Sequence, residues 1–423
     1  MPLIALGRIT DPAEAEAILR AGDGDLIGLG RALVADPAWL RKAAANRAHD
    51  IRYCLSCNTC WGTIISYHQP IACVNNPRVG KADEVDFWPG PAAHPLRVTV
   101  VGAGVAGLEA AWVAAARGHA VTVFGRSAEP GGKARLRALL PGGETITSIY
   151  DYQIVAARRA GAKLVLGVQA ALQDVLASRP DLVVLASGSR MLPPSWLPAS
   201  ALEDGLVPDL RSAMEDLAGR PGRQDGTAVI YDADHTEGVY AAAEALRARF
   251  GRVVIVTPRD TVATDMQLVT RQGVLRRLAE QGIEVLTLAE PVWSERWEEG
   301  EVECANVYTG ARTLLRDVAL LAYATPRVVD TALLAGCGPP GLRYEWSATV
   351  RRRANCWRPP PAATRRAAPP DAIRRAGGSR HFRGRRQRRE LLRSALPAGA
   401  ALHQSPGRHR RRRCWGKIAL SDT

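Results

Sequence analysis

Residues 52–77 read RYCLSCNTCWGTIISYHQPIACVNNP and hold Cys54, Cys57, Cys60 and Cys73, four of the eight cysteines in the chain. Cysteines at every third position turn three thiolates toward one point from a single loop, and a fourth from a nearby segment closes the site. Four thiolates in the pattern C-x2-C-x2-C-x12-C suit an iron–sulfur cluster. The alternative is a four-thiolate zinc site, which ordinarily takes two separated C-x2-C pairs. The remaining cysteines are singletons: Cys304 and Cys337 read as small buried hydrophobes, and Cys356 and Cys414 stand alone farther on.

A second constellation follows. VTVVGAGVAGLEAA places Gly102, Ala103, Gly104 and Gly107 after an apolar strand and at the opening of a helix. The first glycine makes the turn, the second lets a pyrophosphate approach the backbone, and the third packs helix on strand, so that phosphate sits at the helix N-terminus. The next strand should end in an acid that grips a ribose. VTVFGRS puts Gly125 and Arg126 there instead, so Arg126 is expected to face a phosphate or stack on adenine. The ligand class is a dinucleotide or its ADP half, with ADP, FAD and NADP all open. A further strand–helix–strand stretch at 227–258 has no glycine loop. Asp232, Asp234 and Glu237 crowd its helix start and are expected to repel a pyrophosphate, which argues against a productive NAD(P)H site there.

These residues need elements to hold them. LIALG at 3–7 reads as a strand and DPAEAEAILRAG as a helix, with Asp11 as cap, Pro12 in the first turn, Glu14 completing an acidic capping box and Gly22 as stop. DLIGLG at 25–30 is a second strand, and a second helix starts from Asp36. A Pro- and Gly-rich linker covers 81–95. Later strands are read at 96–101, 181–189 and 314–325. The alternation argues for α/β layers with parallel sheets.

The net charge of +14 is unevenly placed. Residues 351–423 carry 21 Lys and Arg against Asp371, Glu390 and Asp422, leaving 35 basic and 39 acidic side chains in the first 350 residues. The body is mildly acidic, and the basic excess sits in an aperiodic Arg-, Pro-, Ala- and Gly-rich tail. That tail reads as a GC-rich coding sequence in a shifted frame, the rival being a disordered RNA-binding arm. No stretch has the length of a membrane span and no secretory signal is visible at the start, so a cytoplasmic, reducing compartment is expected, where clustered cysteines are metal ligands.

GRITDPAEAEAIL, DLIGLGRALVADP, DIRYCLSCNTC, CVNNP and VTVVGAGVAGLEAA, in that order, resemble the iron–sulfur flavoenzymes of the NADH:flavin oxidoreductase/Old Yellow Enzyme family, of trimethylamine dehydrogenase and 2,4-dienoyl-CoA reductase type. The resemblance runs from about residue 3 to 340. It implies an oxidoreductase with FMN in a (β/α)8 barrel, a [4Fe–4S] cluster on Cys54, Cys57, Cys60 and Cys73, and ADP or FAD in the dinucleotide domain. It makes Gly7, Arg8, Gly30 and Arg31 contacts of the FMN phosphate. The cysteine spacing is closer to dehydrogenases and demethylases of N-methylated amines, in which electrons pass from FMN to the cluster and on to an electron-transferring flavoprotein. An NAD(P)H-dependent enoate or dienoyl-CoA reductase is the second reading, and an inactive fragment or nucleic-acid binding through the tail is the third.

The resemblance orders the chain as the last two βα units of a TIM barrel (1–50), the iron–sulfur segment and linker (51–95), a Rossmann-like FAD/ADP-type domain (96–210), a second nucleotide-binding-like domain (211–313), a return to the first (314–345) and an aberrant tail (346–423). A full barrel needs about 250 residues, so the chain is expected to be truncated at its N-terminus and inactive alone. Catalytic residues and substrate would lie in the missing barrel. The expected partners are a small-molecule substrate and the electron carrier, with a homodimer as a candidate assembly, and neither membrane nor nucleic acid.

Overall fold

The opening strand β1 (Ile4–Leu6) pairs in parallel with β2 (Leu26–Gly28), Leu6 opposite Gly28, across the helix α1 (Pro12–Ala21). Asp11 accepts the Ala13 amide at 2.8 Å, Pro12 opens the helix, and Gly22 ends it at φ +77, as the sequence predicts. The helix expected from Asp36 begins at Trp39, and a short helix absent from the sequence expectation precedes it. α2 (Arg31–Ala35) and α3 (Trp39–Ala44) are separated by Asp36, whose side chain accepts from the Ala38 amide, Lys42 Nζ and the Arg52 amide. A short helix α4 (Thr59–Ile65) follows in the cysteine segment. The structure is a computed structural model and describes residues 1–220, 222–330, 333 and 343–346, the last four by backbone alone. The basic tail, with Cys356 and Cys414, lies outside the described residues, as does Cys337.

Two parallel sheets make up most of what remains. In the first, β3 (Arg97–Val101), α5 (Val105–Ala116) and β4 (Ala120–Gly125) lead through α6 (Lys133–Ala138) and α7 (Thr147–Arg159) to β5 (Lys163–Leu166), then α8 (Leu172–Ala177) and β6 (Leu182–Leu185). Val98, Val100, Val121, Val123 and Val183 are buried, the near-continuous apolar run that a doubly covered parallel strand requires. A short β7 (Ser189–Met191) leaves this layer.

After α9 (Ala199–Glu203) and α10 (Leu210–Ala218) comes the second sheet, with β8 (Gln224–Asp232), α11 (Glu237–Arg247), β9 (Phe250–Val256), α12 (Leu268–Glu280) and β10 (Glu284–Leu286). Its core holds Val229, Ile230, Val254, Ile255 and Leu246, each buried and each contributing about 1.5–3 kcal/mol of hydrophobic free energy. An antiparallel layer of β11 (Ala289–Val292), β12 (Val302–Asn306) and β13 (Arg312–Leu315) packs beside it, with Cys304 fully buried as a small hydrophobe.

The return to the first domain begins later than the sequence implies. β14 (Val318–Ala324) pairs with β8 and closes the second sheet, order β10-β9-β8-β14. Among the described residues, only β15 (Arg327–Val329), paired with β7, and β16 (Arg343–Trp346), paired with β6, cross back, giving the first sheet the order β16-β6-β3-β4-β5. A strand's periodicity shows that it is a buried strand, not which of two similar sheets it joins.

Arg52 ties three parts together. Its amide donates to Asp36, Nη1 donates at 2.7 Å to the Asn75 carbonyl, and Nη2 reaches Glu109 of α5 at 3.3 Å. The guanidinium lies 3.8 Å from the Tyr152 ring centroid on α7, with Trp112 on α5 also within cation–π reach. Replacing Arg52 by Met should lower unfolding stability by about 3–5 kcal/mol, because Glu109 and the Asn75 carbonyl lose a buried charged partner. Urea unfolding measures this, and a loss under about 1 kcal/mol would contradict the tie.

Candidate metal and nucleotide sites

The loop from Arg52 to Cys60 winds inward because two of its non-glycine residues are left-handed, Ser56 at φ +54 and Asn58 at φ +58. Such residues are uncommon and reverse the chain locally, and here they alternate with the cysteines. Asn75 then fastens the far segment onto the near one, donating at 2.9 Å to the Tyr53 carbonyl and at 3.0 Å to Ser148 Oγ. Thr63 of α4 donates to the Cys60 carbonyl and accepts the Ala72 amide. Cys73 is thereby brought back to the loop carrying Cys54, Cys57 and Cys60. All four are free and half-buried.

The thiols are near enough to act on one another electrostatically. Burial pushes the Cys60 thiol up and pushes Cys73 up to about 11, and each is raised further by the charge on Cys54 and Cys57. Backbone N–H groups oppose this, from Trp61 at Cys60 and from Asn75 and Asn76 at Cys73. The Ser56 amide also donates to Cys54 Sγ at 3.4 Å. Soft thiolate donors supported by such hydrogen bonds are a donor set for an iron–sulfur group. Among the described residues, no group of three or more His, Cys, Asp or Glu gathers as the ligands of one metal ion would. Ligands of a four-iron cluster each meet a different iron and stand farther apart than ligands of a single ion.

At the start of the chain, Gly7, Arg8 and Gly30 are exposed and Arg31 is half-buried, all just past the C-terminal ends of the paired strands β1 and β2. Arg8 is left-handed at φ +58. Parallel pairing sets the two Gly-Arg turns side by side. Arg31 also reaches the cysteine loop, its Nη1 donating at 2.7 Å to Asn58 Oδ1.

The nucleotide crevice of the first sheet lies between the ends of β3 and β6, where strand order reverses. Gly102, at φ +111, leaves no room for a side chain, since a Cβ there would collide with the Ala186 carbonyl. A Cβ on Gly107 would collide with the Gly102 carbonyl. Ala103 is buried beneath the turn, and Arg126 is exposed at the end of β4. One part of this cradle is absent from the sequence expectation. Gly131 donates from its amide to the Ala103 carbonyl at 2.8 Å, and a Cβ on Gly132 would stand 2.9 Å from Gly104 Cα. This second glycine turn closes over the first. The adjacent glycines of EPGGK carry the signal for it, but only the fold shows which loop they meet.

The acids of the second unit require a correction. Asp232 is fully buried and accepts from the amides of Asp234 and His235 and from Tyr240 Oη, with burial pushing its carboxyl upward. Asp234 is held by Arg327, whose Nη2 donates at 2.9 and 2.8 Å to its two oxygens. Glu237 meets Arg137 at 3.3 Å. These carboxylates are buried or paired, so they do not form an uncompensated repulsive cluster. The Asp234–Arg327 pair instead straps the ends of β8 and β14 together, across the switch point of that sheet.

Residues 1–50 match the NADH:flavin oxidoreductase / NADH oxidase family, and residues 100–155 match the NAD(P)-binding Rossmann-like domain. The chain is 31% identical over 288 residues to an NADH oxidase of Thermoanaerobacter brockii, covering 68% of this chain and 43% of that protein. It is 31% identical over 327 residues to an N,N-dimethylglycine/sarcosine dehydrogenase of Chromohalobacter salexigens, covering 74% of this chain and 45% of that one. It thus spans less than half the length of these relatives. In fold it is similar to a 2-naphthoyl-CoA reductase, with TM-score 0.72 at 24% identity over 81% of this chain and 50% of the other. The paired Gly-Arg turns at the strand ends thus lie in the part of the chain, residues 1–50, that matches the NADH:flavin oxidoreductase / NADH oxidase family, and the cysteine loop and glycine crevice follow in a chain similar to an NADH oxidase and an N,N-dimethylglycine/sarcosine dehydrogenase.

Proposed function

We propose that this chain carries the iron–sulfur and nucleotide-binding machinery of a flavin oxidoreductase acting on N-methylated amines. The observation that carries the reading is the cysteine loop: four free thiols brought together by Asn75 and Thr63, with amide hydrogens directed at sulfur. Cys54, Cys57, Cys60 and Cys73 would hold a [4Fe–4S] cluster, which when bound supplies one-electron transfer between a flavin and an external carrier such as an electron-transferring flavoprotein. Gly7, Arg8, Gly30 and Arg31 would hold the phosphate end of FMN, two arginines supplying its charge-assisted hydrogen bonds. Gly102, Gly104 and Gly132 would admit the pyrophosphate of ADP or FAD against bare backbone, and Arg126 would lie near its ribose or phosphate. The similarity to the N,N-dimethylglycine/sarcosine dehydrogenase supports the amine side of the reading.

In the second unit, the Asp234–Arg327 pair would narrow the entry for NAD(P)H at the switch point, so closure replaces repulsion as the ground for expecting no NAD(P)H there. The rival is an NAD(P)H-dependent reductase of enoates. It is favoured by the similarity to the NADH oxidase and by the neutralisation of the acids at 234 and 237.

Anaerobic reconstitution of the full chain should load about four iron and four sulfide, and Cys57→Ala should abolish the loading by removing a ligand. Stoichiometric zinc without sulfide would contradict the assignment. Calorimetry should detect ADP binding, and Gly104→Val should lower the affinity at least tenfold by filling the cradle beside Gly132. An unchanged affinity would place ADP elsewhere. Adding NADH to the loaded chain should leave the cluster absorption unbleached within minutes, whereas rapid bleaching would favour the reductase reading.

A further inference from the structure

Arg31 belongs to two sites at once. It follows Gly30 in the turn after β2, and it opens α2. Its guanidinium points to the cysteine loop, with Nη1 2.7 Å from Asn58 Oδ1. Asn58 sits between Cys57 and Cys60 at the start of α4 in the left-handed region, and its side chain makes no cap bond to that helix. The side chain is committed to Arg31 instead. A second bond reinforces the contact, from Asn76 Nδ2 to the Val34 carbonyl of α2 at 3.0 Å. Among the described residues Arg31 has no carboxylate partner. A half-buried cation with no carboxylate partner among the described residues therefore meets the cysteine loop at Asn58, between Cys57 and Cys60.

We propose that Arg31 is a positioning and electrostatic residue for the cysteine site: through Asn58 it fixes the turn between Cys57 and Cys60, and its charge, in the chain without FMN, makes the group held there easier to reduce. This rests on the iron–sulfur reading above. The reduced cluster carries one more negative charge than the oxidised one, since an electron enters from the reductant and no proton accompanies it. A nearby fixed cation stabilises the reduced state more, and it does so strongly where water is partly excluded. A neutral side chain at position 31 removes that preference, whereas a lysine keeps it.

The test is a redox titration of the reconstituted full chain with dithionite and mediators, followed by electron paramagnetic resonance. Arg31→Gln should bind the same iron and sulfide but show an equilibrium constant for reduction about tenfold lower, a midpoint more negative by about 59 mV for one electron. Arg31→Lys should stay near the wild type. Asn58→Ala, which frees the arginine without removing its charge, should shift the midpoint in the same direction as Arg31→Gln by a smaller amount. A purely structural contact would change loading and leave the midpoint of the loaded fraction alone. A fully loaded Arg31→Gln protein with the wild-type midpoint overturns the proposal. If that variant does not load, an unchanged midpoint in loaded Asn58→Ala overturns it. Failure of the wild type to take up iron and sulfide would defeat the iron–sulfur reading and this proposal with it, whereas an unchanged midpoint defeats this proposal alone.

Discussion

A buried guanidinium at residue 52 is costly unless every donor is used, because removing a cation from water forfeits several kcal/mol of solvation. The chain meets that cost with partners from three places: the Asn75 carbonyl beside Cys73, the Glu109 carboxylate on α5 and the faces of Tyr152 and Trp112. Those partners cannot move independently while Arg52 stays satisfied. The cysteine loop, which has little regular structure of its own, thereby takes its position from the rigid dinucleotide domain. Gln153 reinforces this from α7 by donating to the other Glu109 oxygen at 2.8 Å, and Asp36 holds the Arg52 amide together with Lys42. The sites thus share one electrostatic anchor, one residue before the segment that begins Tyr53-Cys54.

The two parallel sheets offer the same crevice and treat it differently. At the end of β3 glycines strip side chains from the turn, and Gly132 lies over it, so a pyrophosphate can meet bare amides. At the end of β8 the turn carries Asp232, Asp234 and His235, and Arg327 binds Asp234 across the opening. His235 is buried, with Nε2 3.1 Å from Thr257 Oγ1 and burial lowering its basicity. A switch point between parallel strands therefore does not by itself dictate the turn it carries: at β3 the residues form a glycine cradle and at β8 an ion-paired clasp.

What was legible in the sequence was local. The Asp11–Pro12 cap and the Gly22 stop of α1 follow from backbone groups a few residues apart, and the turn at Gly102 follows from one strand and one helix. The cysteine spacing pointed to a single site because a short loop can gather three side chains. What escaped was long-range. The short helix α2 ahead of Asp36 is absent from the sequence expectation, and the Asp36 side chain between α2 and α3 is held by the Arg52 amide, 16 residues on. The membership of β14 in the second sheet depends on β8, and the Asp234–Arg327 strap on residues 93 apart. The acids at 232–237 could be counted from sequence, but their partners could not, and so repulsion was expected where the fold supplies pairing. Arg31 is set at a phosphate turn by the family resemblance, while its bond to Asn58 exists only once β2 and the cysteine loop are folded together.

The central claim is that Cys54, Cys57, Cys60 and Cys73 form one polynuclear iron site. The most direct measurement is anomalous diffraction from crystals of the anaerobically prepared chain, collected on both sides of the iron edge and of the zinc edge. The account predicts a compact iron peak enclosing four metal positions, each within bonding distance of one of the four sulfurs. A single zinc peak shared by the four sulfurs, or iron bound to fewer than all four cysteines, would contradict it.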